Sequence, residues 1–216
     1  MNELPRLFAV IPAAGRSRRM GRPKLLLPLG ETTVIARVLD ALEHPSIVSR
    51  HVVVRRDDTL LADEVLRHGG IIIRPPQDPA DMLTSVKLAL ETIEREFSPR
   101  DEEGWLLVPA DHPVLDRELL KTMILSWQNT RPRILVPRVC RRRGHPTLFR
   151  WCLAREVSQI PVDCGLNWLL QKYSADVAEL SVEDEGALID LDTPKDYARL
   201  LERFKSPPGI DRLFEI

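Results

Sequence analysis

The chain lacks what a disulfide scaffold or a zinc site requires. Its three cysteines, Cys140, Cys152 and Cys164, are an odd number with no CxxC spacing, and they read as free thiols in a reducing compartment. Its five histidines form no HxxxH or HExxH pair, which argues against zinc. No apolar run approaches the about 18 residues of a membrane span. The polar start MNELPR is not followed by a long apolar stretch with a cleavage site. No signal peptide and no membrane partner are therefore expected, and the cytoplasm is the default location. An excess of one charge is missing too. The formal net charge is -1, so no nucleic-acid partner is expected. Neither GxxxxGK[ST] nor GxGxxG occurs, which excludes a Walker loop and a dinucleotide fingerprint. There is no internal repeat and no low-complexity tract.

What is present is ordinary globular material. Of 216 residues, 44% are hydrophobic and 29% charged, enough for a sizeable core. Strand-like runs at Leu7–Ile11, His51–Arg55, Ile71–Arg74, Trp105–Val108 and Arg133–Pro137 alternate with helical spacing at Thr32–His44, Thr59–Gly70, Met82–Phe97 and Arg117–Trp127. A threonine of the opening pair Thr32-Thr33 is the expected cap of the first helix. This β-α order predicts an α/β fold of three layers, a mostly parallel sheet with helices on both faces. Beyond Pro137 the rhythm is irregular. CRRRGHPTLFR reads as a loop or short ribbon, Val162–Tyr173 as a short helix, Val177–Val182 as a strand and Thr193–Phe204 as a helix. One domain is expected over residues 1–209, with 210–216 as a tail. Glu91, Glu94 and Glu96 read as a solvated helix face, and Trp127, Trp151 and Trp168 as packing residues.

Three segments carry chemistry. The first follows the opening strand and packs Arg16, Arg18, Arg19, Arg22 and Lys24 between two apolar stretches. Ligands of open α/β sheets bind beyond the carboxyl ends of strands. Gly15 and Gly21 let the backbone approach an anion, and arginine forks fit phosphate oxygens in pairs. Taken alone, the segment reads equally well as a solvated arginine-rich turn. The second is PADHP, where Asp111 at a strand end suits Mg2+ or else makes an Asx turn. The third is LIDLDTPKDY, where Asp190 and Asp192 suit a metal, or Asp192 caps the following helix. A phosphate loop with two carboxylate sites suggests a metal–triphosphate complex.

The run AAGRSRRMGRPKLLLPLG, with DLDTPKDY and RRRGHPTLF, resembles the pattern of cofactor and sugar nucleotidyltransferases of glycosyltransferase-A-like fold. Within that group the chain is similar to the molybdenum cofactor cytidylyltransferase family from Phe8 to Leu201. The resemblance implies transfer of CMP from CTP to a phosphorylated acceptor, molybdopterin, with release of pyrophosphate and Mg2+ as cofactor. An apo-molybdoenzyme is an implied partner. It further implies that Ala13, Ala14, Gly15, Arg16, Ser17, Arg19 and Lys24 wrap the nucleotide and that Ser85 lies near the base. Arg19, Lys24 and Asp111 become the catalytic set. Asp111 and Asp192 would hold the metal, with Asp190 as second choice. Gly144, His145 and Pro146 would meet the acceptor. Paired alanines at 13 and 14 match the cytidylyl branch. Two places depart from the pattern: Asp81 stands where relatives have glycine, and Asn167 where they have arginine. Two rival readings are a transferase for another phosphorylated small molecule and a non-catalytic nucleotide or cofactor chaperone.

Overall fold

The computed structural model describes residues 6–161 and 163–205. Strand β1 (Leu7–Pro12) sits inside the sheet, and its run LFAVI is fully buried, as expected of a parallel strand covered on both faces. Its side chains divide by the two-residue period of a strand. Leu7, Ala9 and Ile11 enter one core, and Phe8 and Val10 the other.

Next come β2 (Pro28–Leu29), β3 (Thr32–Thr33), α1 (Val34–Ala41), β4 (Ile47–Val53), α2 (Thr59–Arg67) and β5 (Ile71–Ile73). They are followed by α3 (Met82–Phe97), β6 (Gly104–Leu107), α4 (Arg117–Thr130), β7 (Ile134–Val139), β8 (Arg142–Arg143) and β9 (Thr147–Arg150). The last are α5 (Ala154–Val157), α6 (Asn167–Lys172), β10 (Val177–Ser181) and α7 (Pro194–Lys205). The main sheet runs β10-β7-β9-β6-β1-β4-β5, with β8 pairing β7. β1 pairs in parallel with both β4 and β6. The core on one face is built with α1, α2, α4 and α7. The other uses α3, α5 and α6. The three layers and the mostly parallel sheet are those expected.

Several boundaries differ from the sequence reading. Of the two readings of residues 140–150, a loop or a short ribbon, the ribbon is found, with β8 pairing β7, but it goes further than expected. Within them β9 runs antiparallel between β6 and β7, with Thr147, Leu148 and Phe149 buried. Four residues behind a proline are too short for an alternation signal. The expected threonine cap of α1 is Thr33, which accepts a hydrogen bond from the Ala36 N–H. The strand around His51 starts earlier, at Ile47, because polar Ser49 and Arg50 hide its start. The helix expected over 162–173 is confined to Asn167–Lys172, and Val162 lies outside the described residues. So do residues 206–216, and with them the expected tail. The face of α3 is not wholly solvated: Glu94 accepts the Trp151 indole N–H at 2.7 Å.

Candidate active site

The loop after β1 holds its own shape. The Ala13 N–H donates to the Val53 carbonyl at 2.9 Å, which carries the parallel ladder one residue past β1. Ser17 then adopts φ 50° and Gly21 φ 71°, left-handed conformations that cost a glycine little. The N–H groups of Met20 and Gly21 close on the Ser17 carbonyl, each at 3.1 Å. The Ser17 hydroxyl accepts the Lys24 N–H at 3.3 Å. From the end of β4, Arg55 donates to the Gly15 carbonyl at 3.1 Å. These bonds bring Lys24 back beneath the loop.

There the Lys24 ammonium meets two carboxylates at once, Asp111 at 2.6 Å and Asp192 at 2.9 Å. Arg19 adds a contact of 2.8 Å to the other oxygen of Asp192. The two aspartates lie 81 positions apart in the chain, yet the Leu191 N–H donates to the Asp111 carbonyl at 2.9 Å. That backbone bond holds the DLD segment beside the end of the β6 strand path. Burial opposes the charge on Lys24, but the attraction of Asp111 and Asp192 outweighs it and raises the lysine pKa above its ordinary value.

The competing structural roles of both aspartates are filled by others or not taken up. The start of α7 is capped by Thr193 and Asp196. The Asp196 carboxylate accepts from the Thr193 N–H at 2.8 Å and its hydroxyl at 2.7 Å, and the Asp196 N–H returns to that hydroxyl at 3.3 Å. Asp192 is thus released from capping and turned to Lys24. Asp111 accepts from Lys24 rather than from a turn N–H. Asp190 is exposed and does not meet Lys24.

Two carboxylates converging on one cationic centre form a suitable donor set for a divalent metal. Mg2+ is commonly held by one or two protein carboxylates, with substrate phosphates and water completing the shell. Asp111 and Asp192 provide that number. No group of three or more His, Cys, Asp or Glu poised for a metal occurs among the described residues.

The cleft has two adjoining parts. One, of about 290 Å³, lies between Pro12, Arg18, Lys24, Asp111 and Asp192. The other, of about 460 Å³, runs from Ala14 and Arg16 to Asp78, Asp81 and Ser85. They share Pro12, Gly15, Arg18 and Asp111. Ala13 is buried in the core, so only its backbone is available to the cleft. Ser85 is buried at the first turn of α3, its hydroxyl donating to the Asp81 carbonyl at 3.2 Å. Asp81 caps that helix through the Thr84 N–H at 2.7 Å, and this hydrogen bond holds its carboxyl below the usual range.

Sequence reasoning missed two contributors. Asp78 pairs with Arg16 at 2.5 Å and closes the second part of the cleft. Arg55 braces the loop, while itself pairing with Asp58 at 3.0 Å. Asp78 lies in PPQDPADM, which has no periodicity to mark it. Arg55 had a usable signal, since it follows a strand in the doubly charged run RRDD.

Next to Asp111, the ring of His112 meets that of His145 edge to face with centroids 4.9 Å apart. Each keeps a buried Nδ1 with no partner among the described residues. Burial, then the neighbouring His112, pushes the His145 pKa down to about 4. Burial also lowers that of His112, against the pull of Asp111. Gly144 and Pro146 are buried. A Cβ at Gly144 would lie 2.6 Å from the Ala187 carbonyl oxygen, and the His145 N–H donates to that same carbonyl at 2.9 Å. The Gly-His-Pro run therefore presents His145 and packs its neighbours beneath it.

Residues 9–177 match the MobA-like NTP transferase domain, and the chain belongs to that family. The molybdenum cofactor cytidylyltransferase of Escherichia coli (strain K12) is 27% identical over 199 residues, 90% of this chain and 95% of that protein. A 3-deoxy-manno-octulosonate cytidylyltransferase from Syntrophotalea carbinolica is 32% identical over 154 residues, 66% of this chain and 61% of that protein. Among solved structures, Rv0371c of Mycobacterium tuberculosis superposes with TM-score 0.77 and 28% identity, covering 91% of this chain and 98% of that one. The same protein has also been solved in complex with manganese, at TM-score 0.72. No helix among the described residues is long and apolar enough to cross a membrane.

Proposed function

We propose that this NTP transferase moves CMP from CTP to the phosphate of molybdopterin and releases pyrophosphate. The observation that carries the reading is the convergence of Asp111 and Asp192 on Lys24, under a cation-rich loop at the carboxyl end of β1. A monoester phosphate is already ionised near neutral pH, so no strong base is needed. The protein has to position the reactants and balance their charge. Arg19 and Lys24 bind phosphate oxygens, and the Ala14–Ser85 part of the cleft takes the base. Asp111 and Asp192 would hold Mg2+, which would neutralise charge gathering on the phosphates. His145, neutral at working pH, orients the acceptor by hydrogen bonding rather than by charge. Two supports favour molybdopterin: a cytidylyltransferase for that cofactor is the relative aligned over nine-tenths of this chain, and His145 of the Gly-His-Pro run packs its ring on His112, the residue that follows Asp111.

A second reading keeps the chemistry and changes the acceptor. Asn167, in place of the arginine expected there, favours it, because a fixed positive charge for the acceptor is missing at the start of α6.

The test is pyrophosphate release from CTP in the presence of the molybdopterin acceptor, with wild type, Asp111→Ala and Asp192→Ala. Each variant should lose roughly a hundredfold or more in turnover. The double variant should be little worse than either single one, because both act through one ion. Losses that simply multiply would count against a shared metal.

A further inference from the structure

We infer that Arg18 is a further nucleotide-binding residue of this site, the cation that first captures the triphosphate. The inference rests on the proposed NTP transfer. Of the five cations between Val10 and Leu27, four are already engaged. Arg16 is held by Asp78 at 2.5 Å and Arg19 by Asp192 at 2.8 Å. Lys24 is held by Asp111 and Asp192. Arg22 lies over the Tyr197 ring, 5.3 Å from its centroid. Among the described residues Arg18 has no ion pair and no aromatic partner, and it is exposed. It lines both parts of the cleft as well as the adjoining pocket beside Arg55 and Asp58.

A paired arginine offers an incoming phosphate only the difference between its new partner and its old one. An unpaired arginine offers the whole attraction, which also acts at longer range and steers encounter. The backbone at Arg18 is held, while its exposed side chain has no ion pair among the described residues. The left-handed Ser17 precedes it, and the Arg18 carbonyl accepts the Gly21 N–H at 3.3 Å. Only side-chain freedom is therefore lost when the guanidinium closes on a phosphate. The division of work follows. Arg18 sets the rate of capture, whereas Arg19 and Lys24 exchange carboxylate partners for phosphate once the nucleotide is inside.

The test compares wild type with Arg18→Ala and Arg18→Lys by stopped-flow binding of Mg·CTP, with inorganic tripolyphosphate as a base-free probe. Arg18→Ala should lower the association rate for both probes by roughly tenfold at low salt. The gap should shrink as salt is raised, since exposed charges are screened. The KM for CTP should rise while kcat stays within about twofold. Arg18→Lys, which keeps the charge, should recover most of the rate. A wild type that binds and an Arg18→Ala variant that binds just as fast would overturn this assignment alone. So would a loss confined to kcat, or one that affects CTP but not tripolyphosphate. A wild type that binds no nucleoside triphosphate would overturn the proposed function, and this assignment with it.

Discussion

At the β1 end of the cleft, Arg16, Arg19 and Lys24 are locked to Asp78, Asp192 and Asp111. On the other side of Asp111, His112 and His145 meet edge to face, each with a buried Nδ1 that has no partner among the described residues and with a lowered pKa. One end is dense in charge held as ion pairs. The other is polar and uncharged at neutral pH. The first suits a ligand whose negative charge persists throughout the reaction, because ion pairs are preorganised and can exchange partners. The second suits a group that must be oriented without being gripped. Asp111 stands where the two ends meet.

Removing the central cation should have the largest effect on this contrast. Lys24→Met should reduce turnover on the order of a hundredfold, as for loss of one strong electrostatic stabiliser. The same variant should bind Mn2+ without nucleotide about tenfold more tightly than wild type, since the ammonium no longer competes for the Asp111 and Asp192 carboxylates. Electron paramagnetic resonance of free Mn2+ would measure this. Unchanged Mn2+ affinity would mean that the two carboxylates do not share one cation site.

The uncharged end can be tested through acid. The His145 pKa is about 4 in the folded chain, against about 6.5 unfolded. Between these values the unfolded state binds the proton and the folded state does not. Stability is therefore full above about pH 6.5 and falls as the pH drops towards 4, by about 3 kcal/mol at most from this group. Urea unfolding at pH 7 and pH 4.5 should show this drop in wild type and a smaller one in His145→Asn. Equal drops would place a charged imidazole at this end and erase the contrast.

The cation end was more legible in the sequence than the imidazole end. Lys24, Asp111 and Asp192 each carry a signal: a cationic loop behind a strand, a carboxylate at a strand end, and an alternating DLD before a proline. Their convergence needed the sheet, because the Leu191 to Asp111 backbone bond that joins them is invisible to local pattern. Asp78 was missed for the same reason, being a long-range partner in an aperiodic loop. At the imidazole end the His-Pro dipeptide was noticed, but not that β9 carries it into the sheet, nor that its ring packs on His112. Burial decides the charge state of these histidines, and burial is set by tertiary packing that the run RRRGHPTLF does not encode alone. The fold was the easiest part. Long helices such as Met82–Phe97 came out with the expected bounds, whereas short strands in polar surroundings did not.

The most direct test of the central claim is nucleotide transfer itself. Protein, α-labelled CTP, Mg2+ and molybdenum cofactor released from a molybdoenzyme would be mixed, and pyrophosphate and the labelled product followed together. The expected result is pyrophosphate formed only when the acceptor is present, with one CMP attached to the pterin phosphate for each pyrophosphate released. CTP breakdown that ignores the acceptor, or label that never reaches the pterin while another phosphorylated compound takes it up, would contradict the account.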